Sequence, residues 1–242
     1  MSTNTIALKL PHIEDAPKRV RVLFGGQYIV DTDDAKLVWL KPYYPVYFFN
    51  ADDVPDKYLS RSVDFTQDHK YEVFDVVVGN NRAVGAATKY TDGELKGLMT
   101  ILFGAMDAWF EEDEQIFVHP KDPYKRVDVL QSSRRVRVEF NGHVLAETTR
   151  PRFLIETSLR RRTYIPKADC NMQLLVESQT TTECPYKGVA NYYTVRLPDG
   201  KEEQDSVWWY RNPNPECIQI AGLVAFYDEK FDVYVDGQLQ KR

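Results

Sequence analysis

Histidine, methionine and cysteine are scarce in this chain, at 4, 4 and 3 of 242 residues, and the shortages narrow the chemistry open to it. Cys170, Cys184 and Cys217 lie in the second half at wide spacing. They fit neither a disulfide framework nor a zinc knuckle, so reduced thiols and no metal are expected. Only His12, His69, His119 and His143 exist to serve a cysteine as base, and none is near Cys184 in sequence. No stretch approaches the roughly 18 consecutive apolar residues of a membrane-spanning helix. Met1 to Ile6 has neither the basic segment nor the apolar run of a secretory signal, which leads us to expect a cytoplasmic protein. Positive charge is also in deficit, with a formal net charge of −5 and a pI near 5.5. Such a surface is poorly suited to nucleic-acid phosphates or anionic lipid, so neither nucleic acid nor membrane is expected as a partner.

Aromatic residues are abundant: 15 Tyr, 12 Phe and 4 Trp favour strands and pocket walls over long helices. The sequence is also written twice. A gap-free shift of 116 positions lays Arg19-Val20-Arg21-Val22 on Arg135-Val136-Arg137-Val138, Phe24 on Phe140 and Gly26 on Gly142. The same shift matches Thr32 with Thr148, Phe48 with Tyr164, Asp53 with Asp169, Leu59 with Leu175, Ser62 with Ser178, Thr66 with Thr182 and Val73 with Val189. A second offset brings Gly97-Leu98 onto Gly222-Leu223 and Asp107 onto Asp232.

Each copy opens with alternating apolar and basic residues before a Gly-containing turn, a hairpin signal, and short strand-like runs follow, broken by Gly, Pro and Asp. The fold expected is mainly β: two tandem, related, small antiparallel β-barrel or sandwich domains with short helices. Leu95, Leu98, Met99, Leu102, Met106 and Trp109 recur at helical spacing, which predicts a helical start followed by a strand within residues 94–110. Beyond the acidic run at Glu111-Glu112-Asp113-Glu114, two prolines stiffen the connector from His119 to Arg126. This places the domains at 1–125 and 126–242.

The densest chemistry is Thr182-Glu183-Cys184-Pro185-Tyr186-Lys187-Gly188. Pro185 suits the second position of a turn, and Gly188 can take the positive φ that closes a hairpin with a bulge. Lys187 would be a Schiff-base or acid/base residue if burial lowered its pKa, and otherwise a solvated turn lysine. Cys184 is either a nucleophile or an inert buried thiol. Glu156 interrupts the apolar run Phe153-Leu154-Ile155, so it either pairs with Arg152 or Arg160 or works as a general acid/base. Tyr164, Tyr192, Trp208, Tyr210 and Tyr227 would wall a pocket for a flat ligand if they share a face, and core packing explains them nearly as well. Arg160, in the cluster Arg160-Arg161-Arg162, would bind a carboxylate or phosphate or mark an exposed turn. His119 is the histidine placed nearest a site.

Taken together, the paired Arg-Val-Arg-Val hairpins, Glu156 with Tyr164-Ile165-Pro166 and Asp169, Cys184-Pro185-Tyr186-Lys187-Gly188, Val207-Trp208-Trp209-Tyr210 and Ile220 to Tyr227 resemble the DUF427 family. The connector, Met106 to Asp113 and His119 to Leu130, is similar to that of two-domain members, so the resemblance spans nearly the whole chain. It implies compact, mostly β domains and names no function. The nucleotidyltransferase-like label sometimes given to the family is not a mechanism. Nucleotidyl transfer needs carboxylates holding metal against a triphosphate, and the adjacent pairs Asp33-Asp34 and Asp52-Asp53 would point to opposite faces of a strand. The full motif set is in the second copy. The gap-free alignment sets Asp68 against Cys184, His69 against Pro185, Tyr71 against Lys187 and Leu40 against Glu156.

The leading expectation is a small-molecule enzyme of acid/base type, a lyase or isomerase, working without cofactor or metal from a pocket in the second domain. The competing class is a non-catalytic small-ligand-binding or scaffold protein, with nucleotidyl transfer the weakest reading. The first requires Lys187 and Glu156 to reach one enclosed volume. As turn and strand-end groups they are expected to cost only about half a kcal/mol when removed, as surface sites do. A homodimer is left open by the sequence.

Overall fold

The computed structural model describes residues 9–63 and 70–241. The chain divides into two compact units, Met1–Asp122 and Pro123–Arg242, parting just ahead of Arg126. The first holds β1 (His12–Asp15), β2 (Val20–Phe24), β3 (Gln27–Thr32), β4 (Lys36–Trp39), β5 (Val46–Asn50), β6 (Leu59–Arg61), β7 (Tyr71–Val78), β8 (Asn81–Tyr90), β9 (Leu98–Ile101), β10 (Ala108–Glu111) and β11 (Glu114–Ile116). The second holds β12 (Val127–Gln131), β13 (Val136–Phe140), β14 (His143–Thr148), β15 (Arg152–Glu156), β16 (Arg162–Ile165), β17 (Leu175–Cys184), β18 (Gly188–Arg196), β19 (Glu202–Tyr210), β20 (Val224–Phe226), β21 (Asp232–Val235) and β22 (Gln238–Leu239).

In the first unit a seven-stranded sheet runs β1-β4-β5-β9-β8-β7-β6 and a four-stranded sheet β11-β10-β2-β3. In the second the orders are β12-β15-β16-β20-β19-β18-β17 and β14-β13-β21-β22, the same strand for strand once the small sheet is read from its other edge. The ladders are antiparallel. Each unit is a two-sheet sandwich and not a closed barrel, since both sheets end in free edges among the described residues. No described helix is long and apolar enough to cross a membrane.

Local sequence explains the shared frame. The opening hairpins turn at Gly25-Gly26 (φ +57° and +75°) and Asn141-Gly142 (φ +47° and +81°). Positive φ at both central residues gives the turn whose twist matches that of the strands. Val20 and Val22, like Val136 and Val138, alternate with the arginines and enter the core between the sheets. Fully burying each such side chain contributes about 1.5–3 kcal/mol. Matched polar positions also prove structural: Thr32 Oγ1 donates to Asp53 at 2.9 Å and Thr148 Oγ1 to Asp169 at 2.7 Å.

Three sequence readings are corrected by the structure. Residues 94–110 contain no helix beyond the single 3₁₀ turns Gly93–Leu95 and Phe103–Ala105, each followed by a short strand. Met99 and Ile101 are buried two apart on β9, and the turn then resets the phase, so the spacing imitates a helix while Leu102 stays 57% exposed. The gap-free alignment also fails after β6. Leu59 pairs with Val76, 17 positions on, whereas Leu175 pairs with Val195, 20 positions on, so the hairpin in the second copy is longer. Tyr71, opposite Tyr90, therefore corresponds to Ala190, opposite Tyr210, and Val73 to Tyr192. The assignments to Thr66, Asp68 and His69 lie outside the described residues. Asp33-Asp34 and Asp52-Asp53 lie not on strands but in turns, where Asp34 takes hydrogen bonds from Lys36 and Asn50.

Candidate functional site

Period-two alternation divides the large sheet of the second unit into two faces. Tyr193, Val207, Val224, Phe226 and Ile165 point into the sandwich. Leu154, Tyr164, Ala190, Tyr192, Trp208, Tyr210 and Ala225 form a second cluster on the other face, with Cys217 and Ile220 from the 3₁₀ segment Pro215–Ile220. The same alternation carries Glu156 onto the face of Leu154, where it is 7% exposed, while Ile155 is 42% exposed.

At the edge of this face, the β17–β18 hairpin closes on Cys184 and Gly188, with Pro185, Tyr186 and Lys187 as its loop. Gly188 has φ +92°, and a Cβ there would sit 3.3 Å from Asn214 Oδ1. Asn214 braces the loop, its backbone N–H donating to Lys187 O at 3.2 Å and its Nδ2 to Pro185 O at 2.9 Å. The loop thus aims Lys187 inward: Nζ lies 2.5 Å from Glu156 Oε2, with the two side chains 13% and 7% exposed. Glu156 pairs with this lysine and not with Arg152 or Arg160.

Burial disfavours the charged Lys187, yet the charges of Cys184, Glu156 and Cys217 and the hydrogen bond to Glu156 more than compensate, leaving its pKa raised. Burial pushes the Cys217 thiol up to about 11, so at neutral pH it stays a thiol. The condition for a neutral Schiff-base amine, a lowered pKa, is therefore not met. The resting pair is an ammonium and a carboxylate.

The pair lines a cavity of about 240 Å³ together with Leu154, Leu159, Arg160, Arg162, Tyr164, Tyr192, Trp208, Tyr210 and Tyr227. All five aromatics marked in the sequence meet here. Trp208 Nε1 donates to Tyr164 Oη at 3.1 Å, and the Trp208 and Tyr227 rings lie 4.6 Å apart. Tyr192 Oη and Thr182 Oγ1 share a 2.8 Å hydrogen bond. Burial raises Tyr164 and Tyr210 above the usual phenol range and Tyr227 to about 12, so the wall is uncharged at neutral pH. Arg162 is fixed by two 2.9 Å hydrogen bonds to Glu229, and its guanidinium carbon is 5.6 Å from the Trp208 ring centre. A larger concavity, about 400 Å³, is lined by Arg135, Arg137, Glu139, Tyr234 and Gly237. Arg135 hydrogen-bonds Glu147 at 2.6 Å, Arg137 Nε lies 2.5 Å from Glu139 Oε1 as an ion pair without hydrogen-bond alignment, and Tyr234 is the one aromatic residue in its lining. The smaller cavity is the stronger candidate.

Comparison with known families now bears on this arrangement. The family described as Domain of unknown function (DUF427) matches the chain twice, over residues 12–112 and 128–237. The chain belongs to the DUF427 family. None of the curated proteins matches it. Within this tandem DUF427 chain the two copies can be compared position by position. Ladder register sets Phe48 at the place of Tyr164, Val46 at that of Arg162, Val73 at that of Tyr192 and Thr88 at that of Trp208. Leu40, 41% exposed, takes the place of Glu156. Of these positions Tyr90 alone keeps its type, matching Tyr210. The frame is shared, and at the described positions compared the polar lining is particular to the second copy.

His119 falls in the first unit, its ring stacked on Tyr44 at 4.2 Å with Nδ1 2.7 Å from Pro120 O. It does not line the cavity. Cys184 is half-buried at the hairpin end beside Lys187. Sequence reading missed Glu229 and Asp228 as the carboxylates holding Arg162, and Cys217 as a neighbour of Lys187. The acidic pair directly after the aromatic Tyr227 was the available signal for the first; nothing local pointed to the second.

Proposed function

We propose that the second DUF427 domain is a small-molecule enzyme of the acid/base type, a lyase or isomerase, whose working groups are Glu156 and Lys187. The observation that carries this reading is the 2.5 Å ammonium–carboxylate contact between two shielded side chains that line one aromatic cavity. Opposite charges held in a site of low dielectric can act on one substrate from two sides. Glu156 takes a proton from the carbon next to a carbonyl. The C–H electron pair becomes a C=C bond, and the carbonyl oxygen gains the displaced pair and a proton from Lys187. Transfer of the proton from Glu156 to Lys187 across their contact restores the pair, and the net change is ketone to enol. A lyase would expel a leaving group from the same enolate.

A second reading rests on the raised Lys187 pKa: the pair satisfies itself without a ligand, as a binding or scaffold site would. Proton exchange separates the two. Enolisable aryl and alkyl carbonyl compounds in D₂O, followed by NMR with and without the protein, should lose C–H signal faster with it. Ligand-induced shifts without accelerated exchange would favour binding alone. We further propose that the protein acts in the cytoplasm, where Cys170, Cys184 and Cys217 remain thiols.

A further inference from the structure

An inventory of unspent hydrogen-bonding groups indicates what the cavity takes. Lys187 gives one of an ammonium's three N–H donors to Glu156. Arg160 reaches Glu229 only at 3.9 Å, and both oxygens of that carboxylate already serve Arg162, so the Arg160 fork is largely unused. Tyr210 is 4% exposed, its hydroxyl makes no hydrogen bond among the described residues, and it is not sealed away from the cavity. Against these donors stands one anionic acceptor, the second oxygen of Glu156, beside phenol oxygens that can also donate. A wall rich in donors selects a ligand rich in acceptors.

We infer that the site takes a single-ring aromatic acid bearing a carbonyl beside its carboxylate, an aryl-substituted oxo acid. The carboxylate meets Arg160, which is exposed and so stands at the mouth; planar bidentate recognition is what a guanidinium does best. The ring lies against Trp208, Tyr192 and Tyr227. The carbonyl oxygen is received by Tyr210 Oη and Lys187, donors already in place where negative charge would grow on enolisation. The volume of about 240 Å³ falls below the 300 Å³ or so at which drug-sized pockets begin, which suits one ring with a short side chain. Tyr210 is thereby a catalytic residue; its counterpart Tyr90 in the first copy packs against Phe48 and Tyr71. This inference rests on the acid/base reading for the role of the carbonyl, and its test does not.

The test is calorimetric titration of the whole chain with benzoylformate, which has no hydrogen on the carbon beside its carbonyl and cannot enolise. Benzoylformamide and benzoate serve as comparisons. Benzoylformate should bind at least tenfold more tightly than its neutral amide. Arg160→Ala should remove about tenfold for the acid and leave the amide unchanged. Tyr210→Phe should weaken benzoylformate several-fold and leave benzoate, which lacks the keto oxygen, unaffected. Equal binding of acid and amide, an Arg160→Ala variant that binds as the parent does, or no binding at millimolar concentration would each overturn the assignment. If benzoylformate binds as described but phenylpyruvate undergoes no accelerated exchange in D₂O, the ligand class stands and the acid/base reading falls. If only neutral ketones exchange, the reverse holds.

Discussion

Replacing one member of the Lys187–Glu156 pair should cost far more than a surface substitution, and replacing both should restore most of the loss. Side chains 13% and 7% exposed cannot rehydrate fully when a partner is removed. Breaking a buried ion pair typically costs 3–5 kcal/mol, because one charge is left uncompensated, while exchanging both members for apolar groups is often neutral. The cavity admits some water, so the low end applies: about 3 kcal/mol for Lys187→Met or Glu156→Gln, and under about 1 kcal/mol for Lys187→Met with Glu156→Leu. For a unit of 120 residues, about 3 kcal/mol corresponds to roughly 12 °C in Tm. All three cysteines lie in this unit and Cys217 is fully buried, so thiol labelling under native conditions reads its unfolding free energy without interference from the first. This reverses the small cost expected from a turn and a strand end. Single variants within about 0.5 kcal/mol of the parent, with no gain in the double, would mean that both charges are hydrated and that the shielded pair is not what the cavity contains.

Three further outcomes follow from particular contacts. Because the Lys187 pKa is higher folded than unfolded, its stabilisation is complete below the ordinary lysine pKa of 10.5 and is lost as pH rises through the folded value; Lys187→Met should flatten that part of a melting-versus-pH profile relative to the parent. Gly188→Ala, with φ +92° and Asn214 Oδ1 only 3.3 Å from the new Cβ, should cost about 2 kcal/mol, and Gly200→Ala, strained but in open space, about 1 kcal/mol, read by chemical denaturation. In the first unit, buried Asp75 accepts from Gly85 N at 2.7 Å and Arg82 Nε at 2.8 Å, which outweigh burial and lower its pKa. Its stabilisation is present above the unfolded value of 3.8 and fades as pH falls, and Asp75→Ala should lower stability by about 3 kcal/mol at neutral pH without altering ligand binding, checked by melting and titration together.

Much of the frame was legible because its signals are local. Alternation in Val20-Arg21-Val22 and Val136-Arg137-Val138, with two-residue glycine turns beyond, can be read within a few residues. The five aromatics and Glu156 also fell out of alternation and of an anomalous carboxylate in an apolar run. What stayed hidden was non-local. Short strands joined by 3₁₀ turns gave residues 94–110 a helical spacing, because a turn shifts the phase of a two-residue period. A longer hairpin in the second copy broke a gap-free alignment that looked continuous, since identities such as Val73 with Val189 arise easily among β-branched residues. The Lys187–Glu156 contact joins positions 31 apart through a loop braced by Asn214, and no pattern in either segment states that distance. Glu229, which fixes Arg162, lies 67 positions from it.

The most direct test compares hydrogen–deuterium exchange at the methylene of phenylpyruvate in D₂O, by proton NMR, for the parent chain, Glu156→Gln and Lys187→Met. Each protein is assayed at a temperature where thiol labelling shows it folded. General acid–base groups of this kind typically contribute 10²–10⁴-fold. The parent should accelerate exchange, Glu156→Gln should lose at least a hundredfold of that acceleration, and Lys187→Met should lose a comparable factor while the ligand still binds. Undiminished exchange by folded Glu156→Gln would contradict proton transfer at this pair, and would leave the cavity as a binding site whose lysine and glutamate hold each other.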